Sequence, residues 1–134
     1  MQPGQEKLTV LVVEDEKLLQ DLAIDALSDG GFDVAIATSG DEAIALLEDQ
    51  TTYCGLVTDI QLNGKIDGWE IARLAREKDA SFPIVYMTGA AGDEWASKGV
   101  PNSILLSKPF APAQLVTAVS QLLNAGSPQP GSAG

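Results

Sequence analysis

The chain has 134 residues, a net charge of −11 and no histidine, and 45% of its residues are hydrophobic. This length is enough for one domain with a buried core. The absence of histidine excludes Ser-His-Asp and Cys-His catalysis and histidine-bound zinc, and the acidic balance, which repels nucleic-acid phosphates, argues against direct DNA or RNA binding.

In the first half of the chain, short β-branched runs alternate with amphipathic stretches. Leu8 to Val13 predicts a strand buried on both faces, and the helix that follows is predicted to end at the glycine pair beginning with Gly30. Its buried face should carry apolar residues at helical spacing: Leu18, Leu19, Leu22, Ala23, Ala26 and Leu27. Phe32 to Ala37 predicts the second strand, and Ser39 with Glu42 has the spacing of a capping box at the start of the second helix.

The second half of the chain continues the alternation. Three further strands are predicted at Cys54–Thr58, Pro83–Met87 and Ile104–Leu106. Asp67 is placed to cap a third helix, and Pro112 suits the first turn of the last one. The segment between the fourth and fifth strands is short and rich in glycine, and we expect a weak, mobile helix around residues 93–97.

Both ends of the chain are predicted to lie outside the folded unit. Residues 1–6 are polar and predict a flexible N-terminus without a secretory signal, and residues 126–134 are rich in Gly, Ser and Pro and predict a disordered tail. Residues 7–125 then form one domain. The sequence contains no apolar run long enough to span a membrane, so we expect a cytoplasmic protein that makes no membrane contact.

Five β-α units predict an α/β fold, with a doubly wound parallel sheet covered by helices on both faces. The functional site of such a sheet lies at the carboxyl ends of its strands. The polar residues that follow the predicted strands are therefore the candidates for chemistry.

Three carboxylates, a hydroxyl and an amine follow four of the predicted strands: Glu14 and Asp15, Asp59, Thr88, and Lys108. Crowded carboxylates repel one another unless a cation is present, and Mg²⁺ is the natural choice beside phosphate. Asp59 has the chemistry of a carboxylate nucleophile towards phosphorus, and Lys108 and Thr88 would stabilise the new phosphoryl oxygens. Each residue alone has an ordinary explanation, such as charging a helix N-terminus, but their joint placement favours a site.

The motifs that carry these residues occur in a distinctive order: Val12-Val13-Glu14-Asp15-Glu16, Thr58-Asp59-Ile60, Asp67-Gly68, Tyr86-Met87-Thr88-Gly89 and Leu106-Ser107-Lys108-Pro109-Phe110. With this set, the chain resembles the receiver domain of bacterial two-component response regulators, of the chemotaxis-regulator type, from about Lys7 to Ala125. The resemblance implies the flavodoxin-like strand order 2-1-3-4-5.

The resemblance also implies a role for each pocket residue. Asp59 would be the phosphoacceptor, and Asp59 and Asp15 would ligate Mg²⁺. Glu14 would act on the ion largely through a bound water, and the backbone carbonyl of Gln61 would complete the protein ligands.

Two further residues would act on the phosphoryl group. Thr88 would swing towards it and Lys108 would pair with it, and the bond between Lys108 and Pro109 is expected to be cis. The donor would be a sensor histidine kinase or a histidine phosphotransfer protein. An unknown downstream protein would read the result, and we expect a monomer or weak homodimer.

The sequence departs from the family pattern in the parts that would report phosphorylation. Leu105 stands where an aromatic residue usually precedes the lysine by three positions. The loop from Gln61 to Lys65 is longer than usual, and we predict that it alters access of water or of a partner. Trp95 is interpreted as partly buried, with an exposed partner contact as the alternative, and Trp69 is expected to be partly exposed.

We therefore expect a stand-alone receiver whose chemistry is limited to its own phosphorylation and dephosphorylation, rather than an enzyme acting on a separate substrate. Alternatives are a phosphate sink without a dedicated output and an aspartate-nucleophile phosphatase of the haloacid-dehalogenase type. The phosphatase would need a second Asp where Gln61 stands. A flavin-binding module would need a Ser/Thr/Gly-rich loop after the first strand, and a degenerate receiver should have lost Asp59, Asp15 or Lys108.

Overall fold

The computed structural model describes residues 8–49, 52–62, 64–89 and 92–125. The N-terminus at 1–6 and the C-terminal tail at 126–134, for which we predicted flexibility and disorder, lie outside the described residues. Within the described ranges, none of the helices has the length and apolar character needed to cross a bilayer.

Strands and helices alternate along the described chain. The strands are β1 (Thr9–Val13), β2 (Asp33–Ala37), β3 (Gly55–Asp59), β4 (Ile84–Thr88) and β5 (Ile104–Ser107). The helices are α1 (Lys17–Asp29), α2 (Gly40–Glu48), α3 (Gly68–Lys78), α4 (Trp95–Lys98) and α5 (Pro112–Ala125), with a 3₁₀ turn at Gly92–Glu94 directly before α4.

The five strands form one parallel sheet in the order β2-β1-β3-β4-β5, which confirms the predicted fold and strand order. Every residue of β3 and β4 is buried, as expected for strands that have a neighbour on both sides and helices on both faces. The order reverses direction at β1 and β3, so the carboxyl ends of these two strands flank the crevice where such sheets bind ligands.

Two apolar cores lie on opposite faces of the sheet. Because side chains alternate along a strand, Val10 and Val12 of β1 face one core and Leu11 and Val13 face the other. The first core contains the buried side chains of α1 and α5: Ala23, Ala26, Leu27, Leu115, Ala118 and Val119. The second contains those of α2 and α3: Ala43, Trp69, Ile71, Ala72 and Ala75.

The element boundaries differ from the predicted ones in ways that bear on the site. Cys54 and Pro83 precede their strands, whereas Asp59 and Thr88 are the last residues of β3 and β4 rather than loop residues. The predicted buried stripe of α1 is wrong at Leu18, which is 76% exposed. Leu18 lies in the first turn of α1, and the fully buried part of the stripe begins more than a turn later, at Ala23.

Side-chain caps start two of the helices as predicted. Ser39 Oγ accepts a hydrogen bond from the Glu42 N–H at 3.1 Å, and an Asp67 carboxylate oxygen accepts one from the Glu70 N–H at 3.0 Å. The Glu42 carboxylate reaches back to the N–H of Thr38 at 2.7 Å, one residue earlier than a standard capping box requires. These caps fix where α2 and α3 begin, and α3 begins beside the site.

Candidate functional site

Three of the predicted carboxylates meet at the carboxyl edge of the two central strands. Glu14 follows β1, Asp15 comes next, and Asp59 ends β3, whose register pairs Val13 with Thr58. Each of the three carboxyl groups offers an oxygen within 4.8 Å of the others. Glu14 is 1% exposed and Asp59 is 7% exposed, so two of the three charges lie in poorly solvated surroundings.

Lys108 supplies a positive charge to this cluster. Its Nζ lies 3.2 Å from Glu14 Oε1 and 3.4 Å from Asp59 Oδ1. Its backbone N–H donates to the carbonyl of Thr88 at 2.8 Å, which fixes the loop after β5 to the end of β4. The Lys108–Pro109 peptide bond is cis, as expected. Among the ion pairs of the described residues, one ammonium faces these three carboxylates, so Lys108 alone does not balance their charge.

The pKa of each buried carboxyl group, Asp59 and Glu14, is subject to some influences that raise it and others that lower it. Burial raises the pKa of Asp59 and of Glu14 above their ordinary values, because a low-dielectric environment disfavours the charged form. Lys108 opposes this for both groups, whereas the charge of Asp15 raises the pKa of Asp59 further and the charge of Asp59 raises that of Glu14. A divalent cation would relieve the repulsion between these carboxylates.

The donor set fits Mg²⁺. It consists of carboxylate oxygens, which are the hard ligands that Mg²⁺ prefers, and it carries more negative charge than Lys108 balances. Gln61, predicted as a ligand through its carbonyl, follows Ile60 at the same edge. Its backbone N–H donates to the Asp59 carboxylate, and its side chain is exposed. That the Gln61 carbonyl binds the metal ion stays a prediction.

The structure also brings Thr88 to this edge. It ends β4, the neighbour of β3, with a register that pairs Asp59 with Met87, and it is 3% exposed. All the residues predicted for the site therefore lie on strand ends, or directly after them, along β1, β3, β4 and β5. The movement of Thr88 towards a phosphoryl group stays a prediction.

Two contacts that position the site were not predicted from the sequence. The Gln20 side-chain amide donates to the backbone carbonyl of Glu14 at 2.7 Å, which ties the loop after β1 to α1. Gly68 packs so closely under β3 that a Cβ at this position would lie 2.3 Å from the Asp59 carbonyl oxygen. The Asp67-Gly68 motif was visible in the sequence, but only the packing shows why the second residue has no side chain.

The predictions for Trp69, Trp95 and Leu105 had mixed outcomes. Trp69 is 8% exposed, so the expectation of partial exposure was wrong, because its ring packs on Tyr86 in the core. Trp95 is 37% exposed, which agrees with the alternative of an exposed side chain, although its indole N–H donates to Ser103 Oγ at 3.0 Å. Leu105, at the usual aromatic position, is half-buried against the core beneath α2 and α3.

Comparison with protein families gives a match to the response regulator receiver domain over residues 10–120. Among solved structures, the chain is similar to a response regulator receiver protein from Sinorhizobium medicae, with 50% identity and a TM-score of 0.88 over 91% of this chain and 98% of that one. It is also similar to a structure described as a putative response regulator from Chloroflexus aurantiacus, with 28% identity and a TM-score of 0.78 over 89% and 99% of the two chains.

The matches to curated relatives cover a smaller part of those proteins' own length. The transcriptional regulatory protein CusR of Escherichia coli is 32% identical over 89% of this chain and 52% of its own. TrcR of Mycobacterium tuberculosis is 35% identical over 90% and 47%. The sensor kinase CckA of Brucella abortus is 30% identical over 86% of this chain but only 12% of its own. The chain thus spans about half the length of the regulators that it matches, and a small part of the kinase.

Proposed function

The chain belongs to the response regulator receiver family, and on that premise we propose that it accepts a phosphoryl group on Asp59 and changes its contacts with a partner protein as a result. The observation that carries the proposal is the position of Asp59. Its carboxylate ends β3 inside an acidic cluster, 3.4 Å from the only amine found in contact with that cluster among the described residues.

The proposed chemistry is phosphoryl transfer from nitrogen to oxygen. A carboxylate oxygen of Asp59 attacks the phosphorus of a phosphohistidine, the P–N bond breaks, and the imidazole nitrogen leaves with the bond electrons and takes up a proton. The product is an acyl phosphate on Asp59. Attack requires the ionised carboxylate, which Lys108 favours electrostatically against the effect of burial.

The other pocket residues would stabilise the product. Lys108 lies between Glu14 and Asp59 and can pair with phosphoryl oxygens as charge on Asp59 increases. Thr88 would donate its hydroxyl to the same group. Asp15, Asp59 and the carbonyl of Gln61 would hold Mg²⁺, with Glu14 acting through water, and the ion when bound would neutralise charge on the carboxylates and the phosphoryl oxygens.

We propose that the donor is a histidine kinase or a histidine phosphotransfer protein. Sequence similarity to segments of the sensor kinase CckA and of the sensor protein EvgS supports a source of this kind, since receiver-like segments occur inside such sensors. We further propose that the chemistry of the domain is limited to its own phosphorylation and hydrolysis.

Intact-mass spectrometry after incubation with acetyl phosphate and Mg²⁺ tests the acceptor. The native chain should gain one phosphoryl group, and addition of a chelator should suppress the gain. Asp59→Asn should gain none. Asp93→Asn, which removes an exposed acid in the turn before α4, is the matched control and should behave like the native protein. Equal labelling of native protein and Asp59→Asn would refute the assignment.

A further inference from the structure

Tyr86 makes a connection between β4 and the segment before β5 that the sheet itself does not provide. Its side chain is fully buried, and its hydroxyl accepts a hydrogen bond from the backbone N–H of Val100 at 3.0 Å. A buried phenol requires such a partner, and burial raises the pKa of Tyr86 and keeps it neutral. Val100 lies between α4 and β5, so this bond attaches the end of the α4 segment to the core.

A second set of bonds leads from Val100 to the surface. The hydroxyl of Ser103 donates to the Val100 carbonyl at 2.7 Å and accepts from the indole N–H of Trp95 at 3.0 Å. The indole also lies over Gly99, where a Cβ would come within 2.5 Å of its Cδ1 atom. Val100 is thus held at its N–H by the Tyr86 hydroxyl and at its carbonyl by the Ser103 hydroxyl, which also accepts from Trp95.

Among the described residues, helix α4 has little apolar packing to hold it. It is a single turn, Trp95–Lys98, and none of its residues is buried. The contacts of Trp95 and Val100 are therefore a large part of what fixes its position. An element held by a few hydrogen bonds and little apolar packing lies at the low end of local stability.

On its other side, Tyr86 contacts the structure that surrounds Asp59. The rings of Trp69 and Tyr86 have centroids 4.8 Å apart at an angle of 56°. Trp69 directly follows Gly68, which packs on the Asp59 carbonyl and donates its N–H to Ile60 at 2.8 Å. Tyr86 also lies two residues before Thr88 on β4, with its side chain on the same face of the strand.

We propose that Tyr86 couples the state of Asp59 to the position of α4. This inference rests on the proposed phosphorylation of Asp59. Close packing around Gly68 and Trp69 transmits a displacement of the β3 end to the Tyr86 ring, because a packed core yields in discrete steps rather than gradually. A shift of the ring changes the Tyr86–Val100 bond, and the Ser103 hydroxyl carries that change to Trp95 at the surface.

Two-dimensional amide NMR with beryllofluoride and Mg²⁺, as a non-hydrolysable load on Asp59, tests the coupling. Fluorine NMR of the bound beryllofluoride measures occupancy, and the two indole N–H signals report Trp69 and Trp95, assigned with Trp95→Phe. In the native chain, loading should shift the Trp95 indole signal. In Tyr86→Phe, which removes only the hydroxyl, occupancy should be unchanged and the Trp95 shift should fall below half of its native size.

Hydrogen exchange at Val100 and a second tyrosine complete the test. Loss of one buried hydrogen bond should make the Val100 amide of Tyr86→Phe exchange about fivefold faster. Ser103→Ala should abolish the Trp95 response while leaving occupancy intact. Tyr53→Phe is the matched control, because Tyr53 is also buried in the core beneath α2 and α3 but makes no bond to Val100. It should respond like the native chain.

The outcomes separate the coupling from the function that it depends on. A native chain that binds no beryllofluoride and gains no phosphoryl group overturns the role of Asp59, and the coupling with it. Full occupancy without a Trp95 shift in the native chain overturns the coupling alone. An equal Trp95 shift in Tyr86→Phe and the native chain at equal occupancy also overturns it.

Discussion

Replacement of Gly68 by alanine tests whether its packing positions Asp59, the proposed phosphoacceptor. Gly68 is the first residue of α3, where alanine would ordinarily favour the helix by up to about 1 kcal/mol. At this position, however, the added Cβ would lie 2.3 Å from the Asp59 carbonyl oxygen and 2.9 Å from Ile60 Cα. Both of these are backbone atoms, so a side-chain rotation cannot relieve the contacts.

The size of the effect follows from these distances. Ordinary contact begins near 3.4 Å, so the end of β3 and the start of α3 must separate by roughly 1 Å. Forcing an extra methyl group into a packed site costs about 1–3 kcal/mol, which exceeds the gain in helix propensity. A displacement of about 1 Å at a reacting group can reduce its rate by about a hundredfold. We expect both a lower free energy of unfolding and slower phosphorylation.

The assay combines urea unfolding with the rate of mass gain in acetyl phosphate and Mg²⁺. Gly40→Ala is the matched control, because Gly40 is also the first residue of a helix and its added Cβ would lie 2.7 Å from Ile66 Cβ and 2.8 Å from the Ile66 carbonyl oxygen, close contacts that do not involve Asp59 or Ile60. It should lose stability but retain a phosphorylation rate close to native. Two results would refute the reasoning. In one, the Gly68→Ala protein is as stable as the native protein. In the other, it loses stability but is phosphorylated as fast as the Gly40→Ala protein.

Four other substitutions have effects that follow from the contacts. The pKa of Asp59 in the folded state is raised above its ordinary 3.8. At pH values between 3.8 and the folded-state pKa, the native state therefore binds more protons than the unfolded state. Stability without metal should therefore fall as pH rises through that window, and urea unfolding at pH 7 should show Asp59→Asn more stable than native, a difference that added Mg²⁺ removes. Arg76→Ala loses bonds to the Phe82 and Pro101 carbonyls, both 2.6 Å, and should cost about 2–3 kcal/mol, whereas Arg73→Ala, whose ion pairs are exposed, should change urea stability little. Ser39→Ala removes the α2 cap and should cost about 1 kcal/mol by the same assay.

The sequence was enough to predict the fold because its signals are local and repeated. Five β-branched runs separated by amphipathic segments define five β-α units, and the handedness of such units allows few arrangements. The caps at Ser39 and Asp67 and the position of Pro112 were also correct, since a cap depends on residues within one turn of the chain. The prediction that Leu18 lies on the buried face was wrong, because helical spacing identifies a face of the helix but not how far along that face the core extends.

The members of the site could also be predicted, for a related reason. Parallel strands bring their carboxyl ends to one edge, so the residues after each run are expected to lie close together. The structure brings Glu14, Asp15, Asp59 and Lys108 together there.

Only the tertiary structure decided how the site is supported and what it touches. Gly68 against the Asp59 carbonyl, Trp69 on Tyr86, and the hydroxyl of Tyr86 on Val100 join residues from 9 to 17 positions apart, with no periodic signal in the sequence. Periodicity and capping report each segment against its immediate neighbours along the chain. The contacts that surround Asp59 are made between segments, and their distances are set by how the helices pack on the sheet.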